Sequence, residues 1–305
     1  MTKKFLIYST PFMILFLAMA LFEPFIYQSL FATSNIERVK KKDFEVIAHK
    51  GASGLAPENT MTAFKMALDM GVDIIELDVR HTKDEEIIVF HDQTLDRIAR
   101  DSMGNPVTGD VHDYTLEEIK RFDVGSWYDS RFADERIPTL KEVLDMVDGK
   151  CKVLIEIKHM DHPHYHDFSE KLVDIIREEK NGYEWCIIQS YEHDYIEEAH
   201  AYDDKIQTKQ VLIGEDSAPL IAFYIETKMH LGRTEKAGQM STLNPHYSTL
   251  SPRRVFRMHA RGYKVFAYPV NERENMIKML NMGVDGLITD NPHVALELRE
   301  ELQNL

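Results

Sequence analysis

The chain has few cysteines and few basic residues, and both shortages exclude classes of protein. Its 305 residues include 2 cysteines, Cys151 and Cys186. Two are too few for a disulfide framework, and because both lie beside or within apolar runs, we expect buried free thiols. Lys and Arg number 36 against 51 Asp and Glu, which leaves a net charge of −15. A nucleic acid would be repelled from most of such a surface, so we do not expect a nucleic-acid-binding protein.

Long apolar runs are also scarce, apart from one at the N-terminus. After MTKK, the segment FLIYSTPFMILFLAMALF is long enough to approach one bilayer crossing. A cleaved signal peptide would have a shorter apolar core and small residues before its cleavage site; the nearest candidate, ending at Ala32, has Leu30 where a small residue belongs. We therefore expect residues 1–34 to be an uncleaved single-pass anchor in the cell membrane, with a cleaved segment as the alternative.

Basic residues lie on both sides of this run, so its orientation does not follow from charge. Lys3 and Lys4 precede it, and Arg38 and residues 40–42 follow it. Residues 35–43 are interpreted as a basic linker that could rest on anionic headgroups.

From residue 44 onward, strand-like and helical patterns alternate, which is typical of a parallel sheet. The length of residues 44–305 favours one α/β domain, a (β/α)8 TIM barrel. A helix is predicted from Glu58 to Met70, and Thr139 is a plausible N-cap of another. Residues 93–137, rich in Asp, Gly and aromatics, break the alternation and are interpreted as a small insertion after strand 2. The predicted strands are Phe44–Ala48, Asp73–Val79, Val153–Ile157, Trp185–Gln189, Ile206–Leu212, Met240–Leu243, Lys264–Tyr268 and Gly286–Ile288.

Two histidines bracket a pair of carboxylates early in this segment. His49 ends the first predicted strand, Glu76 and Asp78 lie in IIELDV, and His91 follows in VFHD. Residues at i and i+2 of a strand point to the same face, so the two carboxylates converge and could bind one hard cation. Metal-assisted acid/base chemistry on a phosphoester needs such a grouping.

A third strand carries a similar pair, Glu156 and Lys158 in VLIEIK. A single acid near the end of a buried strand is more often a cap or an ion-pair partner. Two strands that each end in an acid and a polar partner on the same face are hard to explain by packing. We therefore add Glu156 to the predicted metal ligands.

Six motifs, in order and spacing, closely resemble the glycerophosphodiester phosphodiesterase family. They are HKGASGLAPENT, ELDVRHTKDEEIIVFHD, IPTLKEVL, IEIK, QSY and GVDGLITDNP, and the resemblance runs from about Phe44 to the end of the chain. It implies a metal-dependent hydrolysis of glycerophosphodiesters to sn-glycerol 3-phosphate and an alcohol. It also favours an extracytoplasmic catalytic domain, since anchored or secreted members usually meet phosphodiesters outside.

The resemblance also implies roles for the residues already named. His49 and His91 would act as general base and general acid. One divalent cation would be bound by Glu76, Asp78 and Glu156, and oxygen-only ligands suit calcium or magnesium.

Four further residues are predicted to hold the substrate. By the same resemblance, Lys50 and Lys158 would bind the phosphate. Gln189 and Tyr268, each at the end of a predicted strand, are placed to hydrogen-bond a glycerol or headgroup, and the alternative is that each is satisfied by the backbone. Lys50 replaces the family's usual arginine, which keeps the charge but loses a bidentate contact. Glu85 replaces a usual glycine, and Tyr268-Pro269 replaces Trp-Thr, which changes the predicted pocket wall.

Two other functions stay open beside this one. A lysophospholipase D would act on lipids that keep one acyl chain, which an anchored barrel could reach in the bilayer. A noncatalytic binding domain usually lacks a histidine or a metal acid, and none is missing here. Finally, the tract HMDHPHYH, residues 159–166, should border the active site. It is either solvated or an accessory metal site or pH-sensitive lid.

Overall fold

A computed structural model describes residues 32–39, 43–159, 167–212, 242–260 and 262–305 of the protein. The N-terminal apolar run and the histidines after His159 in the HMDHPHYH tract lie outside these residues, so the predictions made for them are not addressed. Among the described residues, no helix combines the length and the apolar character that crossing a membrane requires.

Eight parallel strands close into a barrel. Every one of them pairs with a neighbour on both sides, in the order β1-β2-β4-β5-β6-β7-β8-β9 and back to β1, and β3 pairs antiparallel with β2. The barrel expected from the alternation of strands and helices is thereby confirmed. The strands are Glu45–Ala48 (β1), Ile74–His81 (β2), Ile87–Val89 (β3), Lys152–Ile157 (β4), Cys186–Ser190 (β5), Gln207–Leu212 (β6), Thr242–Pro245 (β7), Lys264–Ala267 (β8) and Gly286–Thr289 (β9).

Apolar side chains fill the barrel from within and pack the helices against its outside. The inner layer is a cluster of six buried residues, one from each of six strands: Ile47, Ile74, Leu154, Ile187, Phe266 and Ile288. Alternate residues of the same strands, such as Ile75 and Leu77, belong to the larger cluster between sheet and helices. The polar residues that continue the inward face above this layer therefore point into the carboxyl end of the barrel.

Helices follow most strands, and four of the nine described α-helices begin with a Ser or Thr side-chain cap. Thr139 and Glu142 form a capping box, which confirms the predicted N-cap. The helix predicted from Glu58 begins instead at Met61, because Asn59 has φ 57° and cannot continue a right-handed helix. The α-helices are Met61–Met70 (α1), Leu116–Ile119 (α2), Leu140–Val147 (α3), Phe168–Glu178 (α4), Gly182–Trp185 (α5), His193–Tyr202 (α6), Pro252–His259 (α7), Arg273–Met282 (α8) and Pro292–Gln303 (α9), and 3-10 turns lie at Ile36–Arg38, Val111–Asp113, Ser130–Phe132 and Tyr247–Thr249.

The segment between β3 and β4 builds a small core of its own. Leu95, Ile98, Val111, Ile119 and Val124 are buried together against residues of β3. The segment contacts the end of the barrel at which His91 lies: Arg97 binds Asp92 and Glu58, and Tyr128 Oη donates to the carbonyl of Gly54. The insertion can thus contribute side chains to the site.

Three local predictions differ from the structure. The sixth barrel strand, β7, extends to Pro245, beyond the predicted end at Leu243, and the predicted start at Met240 lies outside the described residues. Strand β8 ends at Ala267, and Tyr268 forms only an isolated bridge with His246. Cys151, which directly precedes β4, is partly exposed, so the prediction that both cysteines are buried was wrong for this one.

Candidate active site

Three acids lie together at the carboxyl end of β2 and β4. Glu76 and Asp78 share a face of β2, and the parallel register pairs Asp78 with Glu156 of β4. One carboxylate oxygen of each acid lies within 4.8 Å of the other two. Glu76 and Asp78 are buried, and Glu156 is partly exposed. The structure therefore brings the three predicted metal ligands into one cluster.

A single lysine neutralises part of this acidic cluster. The Nζ atom of Lys158 lies 3.0 Å from Asp78 Oδ1 and 2.6 Å from Glu156 Oε1. Although burial opposes ionisation of both partners, the attraction between Lys158 and Asp78 lowers the pKa of Asp78 and raises that of Lys158. Burial and the neighbouring Asp78 raise the pKa of Glu76 to about 8.

The donor set fits a hard divalent cation. All three candidate ligands offer carboxylate oxygens, the atoms that calcium and magnesium prefer. Asp78 Oδ1 is buried and accepts no hydrogen bond from the described residues, and Lys158 is its ion-pair partner. The other oxygen of Asp78 is held by Asn59 Nδ2 at 2.8 Å, which fixes the carboxylate plane. A bound cation would use oxygens that are already oriented.

His49 has a carboxylate partner from the far end of the chain. Its Nδ1 lies 2.6 Å from Asp290 Oδ1. Burial alone would lower the pKa of His49, but the hydrogen bond to Asp290 and the charge of Glu76 raise it. Asp290 is itself held by Asn271 Nδ2 at 2.5 Å and Ser53 Oγ at 3.0 Å. Because Nδ1 is occupied by the carboxylate, Nε2 is the nitrogen available to a substrate.

His91 is oriented by a second carboxylate and by the insertion. Its Nδ1 lies 2.7 Å from Asp92 Oδ1, and Arg97 Nε donates to Asp92 Oδ2 at 2.6 Å. The remaining nitrogens of Arg97 bind Glu58 bidentately, at 2.6 and 3.1 Å. Glu58 in turn accepts from Lys50 Nζ at 3.2 Å. One arginine therefore connects the supports of His91 and Lys50.

Lys50 takes part in the site through both its backbone and its side chain. Its backbone N–H donates to Glu76 Oε2 at 2.9 Å, and its φ of 56° lies in the left-handed region. The side chain points to Glu58, so the structure shows Lys50 near the acids but paired with a carboxylate. Glu58 and Asn59 thus support Lys50 and Asp78.

Of the predicted substrate residues, Gln189 lies beside Glu156 on the neighbouring strand, and Tyr268 follows β8 on the opposite side of the barrel mouth. Gln189 Nε2 donates to Glu156 Oε2 at 3.1 Å, and its Oε1 accepts from Asn244 Nδ2 at 2.8 Å. The ring of Tyr268 packs edge-on against that of His246, with centroids 5.8 Å apart. Gln189 is thus already occupied by protein partners at both ends of its amide.

These groups surround a cavity of about 310 Å³. Seven of the nine predicted site residues line it; the exceptions are Asp78, which is fully buried beneath it, and Lys50. A cavity of this size suits a small polar molecule. Its lining consists of His49, Glu76, His91, Glu156, Lys158, Gln189, Asn244, His246, Tyr268, Pro269 and Ile288.

Several residues of the site were missed in the sequence. Asp290 and Asn244 each lie at the end of a strand, in LITDNP and LNP, and that position was the available signal. Arg80 donates to the backbone carbonyls of His91 and His159, and neither its spacing nor its neighbours indicated this. Arg97 likewise had no sequence signal, because its partners are set by how the insertion folds back over the barrel.

Comparison with known proteins is consistent with this geometry. Residues 49–294 match the model of the Glycerophosphoryl diester phosphodiesterase family. A glycerophosphodiester phosphodiesterase of Caldanaerobacter subterraneus subsp. tengcongensis is 38% identical over 254 residues, which cover 83% of this chain and 96% of the relative. Another from Bacillus subtilis is 31% identical over 267 residues, covering 83% of this chain and 86% of the relative.

Solved structures agree in fold. A phosphodiesterase of Oleispira antarctica, in complex with the product sn-glycerol-3-phosphate, is 26% identical with a TM-score of 0.69 and covers 84% of this chain and 96% of its own. The glycerophosphodiester phosphodiesterase of Thermotoga maritima has a TM-score of 0.61 at 24% identity, covers 84% of this chain and 98% of its own, and supports the fold alone. On the family match and the curated relatives, the chain belongs to the glycerophosphoryl diester phosphodiesterase family and is an enzyme of that class.

Proposed function

We propose that this enzyme hydrolyses glycerophosphodiesters to sn-glycerol 3-phosphate and an alcohol, with one divalent cation and the two histidines His49 and His91. The observation that carries the proposal is the cavity itself. It is lined by both histidines, each paired through Nδ1 with its own carboxylate, and by two of the three clustered acids. Acid, base and anion-stabilising groups thus face one small volume.

The general base is His49. A neutral imidazole whose Nδ1–H donates to Asp290 offers its Nε2 lone pair to the attacking hydroxyl. Asp290 then stabilises the imidazolium that forms, which is the role of a carboxylate behind a catalytic histidine. The raised pKa of His49 makes it a stronger base than an isolated histidine.

The general acid is His91. Asp92 accepts from its Nδ1–H and fixes the ring, so that Nε2 is the nitrogen from which a proton can pass to the leaving oxygen. Against the effect of burial, the hydrogen bonds from His91 and Arg97 lower the pKa of Asp92, and Arg97 also holds this carboxylate in place.

The phosphate is held between positive groups above the acidic cluster. Lys158 lines the cavity and carries the charge nearest to the three acids. Glu76, Asp78 and Glu156 would hold calcium or magnesium, and the chemistry that such an ion supplies when bound is stabilisation of negative charge on a phosphate oxygen. Lys50 does not line the cavity and pairs with Glu58, and it contributes positive charge near Asp78.

The product assignment draws support from a relative. The Oleispira antarctica phosphodiesterase was solved with sn-glycerol-3-phosphate as its product. The cavity of the present chain, about 310 Å³, has room for a molecule of that size. We therefore assign the same product here.

The decisive experiment is to measure glycerol 3-phosphate release from glycerophosphocholine. We expect no release in EDTA, recovery with calcium or magnesium, and loss of about three orders of magnitude in His91→Ala and Glu76→Ala. Glu117→Gln, which changes an exposed acid, is the matched control. Release in EDTA at the full rate would contradict the metal requirement. Release from lysophosphatidylcholine alone would instead identify a lysophospholipase D.

Residues 1–34 are proposed to anchor the catalytic segment to the cell membrane, with the barrel on the extracytoplasmic side. The support is the apolar run of the sequence, and the alternative is its cleavage. Fractionation of cells expressing the full chain, followed by intact mass measurement, tests both. An intact chain in the membrane fraction that external protease digests is the expected result, whereas a soluble, shortened chain would contradict it.

A further inference from the structure

Two buried amides connect the acidic cluster to the opposite wall of the cavity. Gln189 is at the end of β5 and Asn244 is in β7, with β6 between them. Gln189 is 2% exposed and Asn244 is 1% exposed. Gln189 Nε2 donates to Glu156 Oε2 at 3.1 Å, and Asn244 Nδ2 donates to Gln189 Oε1 at 2.8 Å. The three side chains form one continuous hydrogen-bonded chain.

The direction of this chain is dictated by its first member. An ionised Glu156 can only accept, so Gln189 must turn its NH₂ group toward the carboxylate and its oxygen away. That oxygen can only accept as well, so Asn244 must turn its own NH₂ group toward Gln189. The oxygen of Asn244 is therefore the last atom of this hydrogen-bonded chain. Exchanging the oxygen and nitrogen of either amide would break these hydrogen bonds.

This terminal oxygen has no partner. Asn244 Oδ1 is buried and accepts no hydrogen bond from the described residues, although Asn244 lines the cavity. A buried carbonyl oxygen that is left unpaired is costly, and such oxygens are rare unless a ligand or water completes them. Strand β7 stands opposite β2 in the ring of eight, so Asn244 borders the cavity across the barrel mouth from Glu76.

We propose that Asn244 Oδ1 accepts a hydrogen bond from a hydroxyl of the substrate's glycerol group and thereby selects diesters that carry a hydroxyl-bearing alcohol. The inference rests on the proposed function and adds its specificity-determining residue. An oxygen without a proton attracts O–H donors and repels phosphate or carbonyl oxygens, so it recognises the polyol part of the substrate and not its phosphate. The paired rings of His246 and Tyr268 border the same part of the cavity and offer an apolar surface to the glycerol carbons.

The test compares two substrates that differ only in these hydroxyls, glycerophosphocholine and propylphosphocholine. The wild-type protein should prefer glycerophosphocholine by about tenfold to a hundredfold in kcat/KM, the range expected for one buried hydrogen bond to an otherwise unpaired group. In Asn244→Leu the preference should fall to about threefold or less, because the acceptor is gone. The ratio of the two values does not depend on how much of the variant is correctly folded.

Gln189→Met provides a second variant if Asn244→Leu is too weakly active to assay. It releases the Asn244 amide from its fixed orientation, so the preference should fall between those of wild type and Asn244→Leu. An unchanged preference in both variants, with both substrates still hydrolysed, would overturn the role of Asn244 and leave the proposed function intact. Hydrolysis of neither substrate by the wild-type protein with calcium or magnesium would overturn both.

Discussion

Two lysines lie inside the barrel, one toward each end, and their surroundings are opposite. Lys158 lies at the carboxyl end, within 3.0 Å of Asp78 and 2.6 Å of Glu156. Lys209 points toward the amino end, where its Nζ lies 4.5 Å from the centroid of the Phe266 ring, and it forms no ion pair with a described residue. The charged groups that affect the pKa of Lys209 are the first residues of β1, β4 and β8.

The same burial therefore has different consequences. For Lys158 the nearby acids outweigh burial and raise the pKa, whereas for Lys209 burial dominates and lowers the pKa to about 8. A buried side chain stays charged only if groups of opposite charge lie near it. In this barrel those groups lie where β2 and β4 end. The carboxyl end thus has several paired charges that can take part in catalysis. The amino end has one buried lysine that forms no ion pair with a described residue.

The largest effect is expected from removing the positive charge at the carboxyl end. Lys158→Met should lower kcat/KM by about three orders of magnitude, because the phosphate loses a preorganised cation and two acids lose their partner. Steady-state kinetics with glycerophosphocholine measures this. Lys158→Arg, which keeps the charge, should recover part of the rate. If Lys158→Met kept more than a tenth of wild-type activity, the paired charge at the carboxyl end would not be needed for catalysis.

A smaller loss, of about two orders of magnitude, is expected for Asp290→Asn. An amide cannot stabilise the imidazolium of His49, so the pKa of His49 should fall from its raised value. Since a general base must be deprotonated, the acid limb of the pH profile of kcat/KM should move to lower pH. Asp69→Asn, at an exposed helix position, should leave the limb in place. A limb that stays in place in Asp290→Asn would mean that another group titrates there.

Arg97 tests whether the insertion is part of the carboxyl-end network. Arg97→Gln should reduce kcat about tenfold with little change in KM, because Asp92 would lose its fixed position behind His91. Arg97→Lys should restore little of that loss, since one ammonium cannot bind Asp92 and Glu58 together as the guanidinium does. Full activity of Arg97→Gln would separate the insertion from catalysis.

The smallest effect on activity is expected at the amino end. Lys209→Met should change kcat/KM by no more than about twofold and should raise the free energy of unfolding at pH 7 by up to about 3 kcal/mol. The pKa of Lys209 is about 8 in the folded protein against an ordinary 10.5. Burial of the charged Lys209 therefore lowers the free energy of unfolding by its full amount below pH 8. This destabilisation disappears as the pH rises toward 10.5.

Urea unfolding of wild type and Lys209→Met at pH 7 and pH 10 measures this difference. The stability gained by the substitution should be larger at pH 7 than at pH 10. An equal gain at both pH values would attribute it to packing against Phe266 and not to the buried charge.

Much of the barrel and part of the site could be predicted because they depend on short-range patterns. The i and i+2 spacing of Glu76 and Asp78 was enough to place both on one face of β2, where the structure has them. The same spacing in VLIEIK added Glu156, and the motifs that carry the family resemblance gave both histidines their predicted roles. The start of α1 was missed because Asn59 adopts a left-handed conformation that sequence patterns do not show.

The sequence by itself determined the alternation of strands and helices, the family, and the acids that share a strand face, because these follow from spacing along a few neighbouring residues. Only the tertiary structure decided which side chains support them. His49 meets Asp290 because closure of β1 against β9 brings the two strand ends together, and Arg97 reaches Asp92 and Glu58 because the insertion folds over the barrel. The opposite pKa shifts of Lys158 and Lys209 likewise depend on the groups around each ammonium, and those groups come from distant parts of the chain.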